Sequence, residues 1–363
     1  MRTRLLCLLL LVALVAAACG GDSEPQAARR SATPSESPSP PPEPVRCPLT
    51  GVEAGAVDIN RPAMAVKIDN HPRARPQAGL ETADIVYEEL VEGGLTRFMG
   101  IYHCGDAGDL GPVRSARAVD PDIMVQYAPV LFAYSGASPN NLNKVAATAG
   151  IVNLMHGSNG PAYSRRGGRS APHNLFTSTE KIRARPAAQG VQGPPRTGIV
   201  FNPDLGAEAS PSPSPSPTGG ATASPGAPAP PAPPPVAVPG NRISFAYSAA
   251  ASVSYTYDPA SRRYLRNQGG GPHNAASGTQ LGGTNVVVMK VPVSRGGSSP
   301  EIAVTGSGEA VVLRNGEAIV GQWHRGTLGD QTTFVDAAGQ PIEFAVGNTW
   351  INLLPNDQGW TLE

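Results

Sequence analysis

The chain has 363 residues, enough for two domains. Its 28 Lys and Arg balance 28 Asp and Glu, so no net charge draws it to nucleic acid or to a strongly acidic partner, and neither is expected. Gly and Pro, 42 and 39, make up more than a fifth of the residues, close to the level of low-complexity sequence. They concentrate in two tracts and leave the remainder ordinary.

The first element is an export signal. Arg2 and Arg4 precede the apolar run Leu5 to Ala18, and Ala16-Ala17-Ala18 lead into Cys19. This layout predicts a signal peptide over 1–18. Cys19, followed by Gly20-Gly21-Asp22-Ser23-Glu24, has the form of a bacterial lipoprotein signal, with Ala16 where such signals usually carry Leu. The alternative is plain secretion after cleavage near Ala18; the apolar run is too short to span a bilayer. Acylated Cys19 would carry more than one chain, as stable anchoring requires. The expected address is extracytoplasmic, with the protein lipid-anchored to the bacterial cell membrane. Residues 19–46 are Ser, Pro, Glu and Ala with few large apolar side chains, a composition that cannot offset its ordering entropy and reads as a disordered tether.

Of the four cysteines, Cys7 leaves with the signal and Cys19 takes the lipid. Cys47 and Cys104 remain, a disulfide candidate in an oxidising compartment; two unpaired buried thiols are the alternative. Neither sits at metal-ligand spacing or beside a base.

A first folded domain is expected over 47–205. Ala63 to Ile68 reads as a strand ending at Asp69-Asn70-His71-Pro72. Asp84 to Val91 and Leu95 to Tyr102 read as a hairpin about Glu92-Gly93-Gly94, with a helix the competing reading of 84–91. Asp120-Pro121-Asp122 predicts a helix start with Asp120 as its cap. Val130 to Tyr134, a helix opened by Ser138-Pro139 and closed by Gly150, and Ile151 to Leu154 form a βαβ unit with parallel strands. Residues 206–240 are Pro, Ala, Ser and Gly with a Ser-Pro repeat, a disordered linker. Over 241–363 short β-type runs at Ile243, Val253, Asn285, Ala310, Ala318, Gln331 and Trp350 predict an antiparallel domain. The fold class is thus α/β, a mixed sheet with at least one βαβ unit, followed by a mainly antiparallel β domain. Trp323 and Trp350 read as core.

The chemistry-bearing side chains gather at breaks in regular structure, where loops on a rigid scaffold carry function. Arg73, Arg75, Arg97, Arg114, Arg117, Arg165, Arg166 and Arg169 outnumber Lys67 and Lys144 in the same region, and a guanidinium suits carboxylate or phosphate. Arg114 and Arg117 flank Ser115 on a turn led by Gly111-Pro112. An anion site follows, unless these arginines pair internally with Asp69, Glu88, Glu89 and Glu92. His71 and His173 each neighbour an Asn able to fix a tautomer, which gives them an acid–base reading beside that of turn caps. No His spacing specifies zinc, no Gly-x-Ser-x-Gly elbow surrounds Ser115 or Ser135, and no metal or cofactor is expected.

Four of these segments resemble one family: Asp69-Asn70-His71-Pro72, Tyr87-Glu88-Glu89-Leu90-Val91-Glu92-Gly93-Gly94, Gly111-Pro112-Val113-Arg114-Ser115-Ala116-Arg117 and Ala171-Pro172-His173-Asn174-Leu175 are similar to the YerB-like lipoproteins, the DUF3048 family. Tyr257-Asp258-Pro259, Asn285-Val286-Val287-Val288, Gly306-Ser307-Gly308 and Thr349-Trp350-Ile351 resemble that family's C-terminal domain. The resemblance implies two-domain bacterial envelope lipoproteins without an established activity. The Pro-rich insert at 206–240 and Asn274 after Pro272-His273 depart from the family pattern.

The leading functional expectation is a surface-tethered protein that binds a small anionic envelope ligand such as a cell-wall fragment. Arg75, Arg97, Arg114, Ser115 and Arg117 would grip the anion, while Asp69, Asn70, His71, His173 and Asn174 shape a shared hollow. The alternatives are an envelope hydrolase with His71 or His173 as base and Asp69 or Glu88 as its partner, and a scaffold whose β domain docks another envelope protein.

Overall fold

Three consecutive strands form the centre of the molecule. Ala63–Asp69 (β1), Ile85–Leu90 (β2) and Thr96–Tyr102 (β3) are buried along their whole length, as expected of β-branched and aromatic runs covered on both faces. β2 and β3 form the predicted hairpin. Gly93 and Gly94 turn the chain at φ of 69° and 70°, a region glycine enters without steric cost. The structure, a computed structural model, describes residues 44–205, 236–297 and 299–363. The signal at 1–18, Cys19, the tether to residue 43 and the linker from 206 to 235 lie outside the described residues.

After β3 come α1 (Val119–Met124), β4 (Val130–Ala133), α2 (Pro139–Ala147) and β5 (Ile151–Asn153). β1, β4 and β5 run parallel to one another, so the βαβ unit is present. Ser138 caps α2 by accepting the Asn141 N–H, and Pro139 fills the first turn. α1 begins one residue before the expected cap. Asp120 lies inside the helix and turns its carboxylate back to the Arg117 N–H and to Lys67, because a buried ammonium is a stronger partner than a helix end. Cys47 and Cys104 are disulfide-bonded and pin the segment before β1 to the end of β3.

Beyond residue 236 the main strands are Arg242–Ser248 (β6), Ala251–Asp258 (β7), Arg263–Gln268 (β8), Asn285–Val291 (β9), Gly306–Arg314 (β10), Glu317–Arg325 (β11), Thr333–Asp336 (β12), Thr349–Pro355 (β13) and Trp360–Leu362 (β14). Their pairing is mainly antiparallel, but β9 and β13 are parallel, and β13 is parallel to β2 as well. One sheet therefore crosses the molecule in the order β12-β11-β10-β9-β13-β2-β3-β1-β4-β5, and the two expected domains meet strand to strand at β13 and β2. A second sheet, β8-β7-β6-β14, covers one face of it. Trp323 and Trp350 are fully buried core.

Alternation along the central strands decides where the charges go. Lys67, Asp69, Glu89 and Arg97 point to the face covered by α1, whereas Asn70 and Glu88 point to the face covered by the second sheet. Asp69, Arg97 and Glu89 stand directly opposite one another across β1, β3 and β2. Each face of the sheet carries its own charged cluster.

Candidate functional site

On the α1 face Asp69, 3% exposed, gathers three groups. Its Oδ2 takes His173 Nδ1 at 2.7 Å and lies 3.1 Å from Arg114 Nε, while Oδ1 accepts the His71 N–H at 3.1 Å. The His71 ring stacks on that of His173 with centroids 4.5 Å apart, and its Nδ1 accepts the Arg73 N–H. Burial, then the neighbouring His173, lowers the pKa of His71. Arg97 stands beside Asp69 on β3 and is 6% exposed. It donates to the Ser115 carbonyl at 2.8 Å and has no carboxylate within ion-pair distance among the described residues. Burial, then the proximity of Arg117 and Arg114, brings its pKa down to about 10. Arg117 is satisfied differently: Nε donates to Glu92 at 3.0 Å and Nη1 to the Ala116 carbonyl at 2.9 Å.

Beneath this layer lies a buried triad. Lys67 Nζ contacts Glu89 Oε1 and donates to Asp120 Oδ1 at 2.7 Å, and all three side chains are at most 1% exposed. The triad holds the arginine-bearing segment from below: Asp120 Oδ2 accepts the Arg117 N–H at 2.7 Å, and the Lys67 carbonyl accepts the Arg114 N–H at 2.8 Å. Burial first, and Asp120 second, raise the pKa of Glu89 to about 7 against the opposing pull of Lys67.

The other face is closed. Both Glu88 oxygens accept from Arg266 Nη2 at 2.8 Å, and Thr96 Oγ1 donates to Oε1 at 2.7 Å. Asn70 Nδ2 donates to Thr96 Oγ1 and Gln268 Oε1, and Asn70 Oδ1 accepts from Arg75 Nε and Gln77 Nε2. His273 receives Arg266 Nη1 on Nδ1 and reaches Gln77 Oε1 through Nε2 at 2.8 Å. Burial, then Arg266, drives the His273 pKa down to about 2, so its ring is neutral and acts as a spacer between Arg266 and Gln77.

The expected set thus divides. Asp69, His71, Arg97, Arg114, Ser115, Arg117 and His173 come together. Asn70 and Glu88 do not join them, because strand alternation sends them to the opposite face, where Arg266 and not a loop arginine neutralises Glu88; Arg75, on the turn after β1, goes with Asn70, donating to its Oδ1 and its carbonyl. Asn174 ties its own loop, donating to the Arg166 and Arg169 carbonyls and accepting from Arg165. Arg166 pairs with Asp109, and Arg169 clasps the Ala74 and Pro76 carbonyls. None of the expected grip residues lines the cavity of about 730 Å³ between α1, α2 and the Val293–Ile302 region. Among the described residues no three His, Cys, Asp or Glu side chains are placed to hold a metal ion.

Sequence reasoning did not foresee the roles of Lys67, Asp120, Gln77, Gln268, Arg266 and His273. One signal was available: in a strand covered on both faces, adjacent Glu88 and Glu89 point opposite ways, and each buried carboxylate needs its own cation.

Comparison with known proteins agrees with this architecture. The description "Protein of unknown function (DUF3048) N-terminal domain" matches residues 49–192, and the DUF3048 C-terminal domain matches residues 243–351. YerB of Bacillus subtilis (strain 168), named as a lipoprotein, is 26% identical over 324 residues, covering 86% of this chain and 87% of YerB. The crystal structure of the Bacillus subtilis YerB protein matches with a TM-score of 0.69 at 22% identity, over 87% of this chain and 99% of that one, so the fold is shared. With both of its domains matched along the chain, this protein belongs to the DUF3048 family.

Proposed function

We propose that this protein is an extracytoplasmic lipoprotein, held at the bacterial cell membrane through Cys19, that binds a small anionic envelope ligand between Arg97, Arg114, His71 and His173. One observation carries the reading: Arg97 is 6% exposed and has a carbonyl but no carboxylate for a partner among the described residues. A buried cation without a direct ion-pair partner is costly, and although Asp69 and Glu92 act on Arg97 from nearby, they already pair with the two further arginines that stand beside it. An incoming carboxylate, sulfate or phosphate would supply the missing charge and accept a planar pair of N–H groups. Cell-wall fragments carry such groups.

The test is thermal unfolding of the purified full-length protein with sulfate, phosphate and carboxylate-bearing cell-wall fragments. A ligand present at about a hundredfold its dissociation constant stabilises by roughly 2.7 kcal/mol. Arg97→Ala and Arg114→Ala are expected to remove the shift. A shift that survives both substitutions, or no shift with any anion, would defeat the reading.

A second reading, an envelope hydrolase, is favoured by the His173 Nδ1 to Asp69 Oδ2 contact of 2.7 Å. A carboxylate on one ring nitrogen orients a histidine and leaves the other free to move a proton. Under this reading His173→Asn abolishes turnover of an ester or glycan.

A further inference from the structure

We propose that anion capture at Arg97 and Arg114 is coupled to the uptake of one proton by the Lys67–Glu89–Asp120 triad beneath them. The proposal rests on the anion-binding reading and adds its regulation.

The triad holds one ammonium and two carboxylates, each at most 1% exposed. With both carboxylates ionised it carries a net negative charge away from water, an arrangement that favours retention of a proton. The place for that proton is visible. Glu89 Oε2 is buried and has no hydrogen-bond partner among the described residues, whereas Asp120 spends both oxygens, on Lys67 and on the Arg117 N–H. The Glu89 pKa, raised to about 7, lets the proton come and go near neutrality.

The charged groups around Glu89 make the link to the anion. Lys67 from β1 and Asp120 from α1 act on Glu89 directly, Arg97 stands opposite it on β3, and Arg114, Arg117, Asp69 and Glu92 act in turn on Arg97. Arg97 is the cross-strand partner of Glu89. An ionised Glu89 therefore offsets part of the positive field that an anion would use, and a bound anion in turn raises the cost of ionising Glu89. By linkage the two effects are equal in free energy. The coupling is also mechanical, because the Asp120 carboxylate, which shares Lys67 with Glu89, holds the Arg117 N–H. Affinity should rise as pH falls through the neutral range, by at most about tenfold per pH unit for one proton.

Sulfate is the suitable probe, since it does not titrate near neutrality as phosphate does. Calorimetric titration of the full-length protein at about pH 7.5, above the ordinary histidine range, in two buffers of different ionisation enthalpy reads the protons taken up on binding. Net uptake is expected, and Glu89→Gln, which keeps the side-chain shape, should remove most of it. As a measurement without substitution, sulfate affinity of the unaltered protein should weaken steadily from about pH 6 to about pH 8. Binding with no proton uptake, or uptake equal in Glu89→Gln, overturns the coupling alone. No sulfate binding at all removes the anion reading and this proposal together.

Discussion

Glu88 on β2 and Arg266 on β8, 178 residues apart in the chain, meet in a fully buried ion pair in which both carboxylate oxygens accept from one guanidinium nitrogen at 2.8 Å. The pair joins the central sheet to the second sheet, and Phe98 and Trp350 stack about the guanidinium at 5.2 and 5.7 Å. Removing one member would strand the other charge away from water, a loss of about 3–5 kcal/mol. Arg266→Met is expected to lower the unfolding free energy by that amount in urea titration. Adding Glu88→Gln to the same chain should recover part of it, since the stranded charge is then gone. A loss below about 1 kcal/mol, the level of an exposed pair, would mean that apolar packing alone holds the sheets together.

The Cys47–Cys104 disulfide closes a sequence separation of 57 residues. Its main effect is to restrict the unfolded chain, and for a loop of this length the chain-entropy account gives about 4 kcal/mol. Replacing both cysteines by serine should lower the urea midpoint accordingly while leaving the anion-dependent stabilisation intact, because neither cysteine touches the Arg97 cluster. Loss of anion binding in that variant would show that the bond also shapes the site.

How much of this was legible in the sequence depends on the range of the contact. The β2–β3 hairpin, the βαβ unit from 130 to 154 and the Ser138-Pro139 helix start follow from local pattern and turn chemistry, and each is present. So is the meeting of Asp69, Arg114 and His173, which lie in segments marked by Gly, Pro and His. The partners of Glu88 were not legible. Arg266 sits on a strand, β8, whose Arg-Tyr-Leu-Arg-Asn-Gln sequence has little apolar content and does not announce a buried position. The joining of β13 to β2 was equally hidden, because both are apolar runs and nothing local to either specifies which edge it meets. Asp120 misled for a related reason: Asp before Pro is a good local cap, but a buried Lys67 from a distant strand outcompetes a helix end.

Glu89 makes a signed prediction about pH and stability. Its pKa in the folded protein, about 7, lies above its ordinary 4.5, so between these values the folded state binds more protons than the unfolded one. The contribution is therefore fully present below about pH 4.5 and is lost as pH rises through about 7. His71, His103 and His273, whose pKa values are lowered, act in the opposite direction, so the difference between two proteins is the quantity to read. Urea unfolding across this range should show Glu89→Gln gaining on the unaltered chain as pH increases. A constant difference would mean that Glu89 keeps one protonation state throughout.

Glu92 provides a test whose sign separates binding from mere structural support. Its side chain, 39% exposed, holds the 14% exposed Arg117, the one arginine of the Arg97 cluster with two of its nitrogens on a single carboxylate oxygen. Glu92→Gln removes a negative charge from the rim while preserving a hydrogen-bond acceptor for Arg117. If the cluster serves an anion, sulfate should bind more tightly, by about fivefold for the roughly 1 kcal/mol that a partly exposed pair is worth. Arg97→Ala should move affinity the other way. If these arginines only brace the loops, neither substitution changes sulfate affinity, and both simply lower the unfolding midpoint. Opposite signs in one titration, from two side chains of one cluster, are an outcome that bracing does not produce.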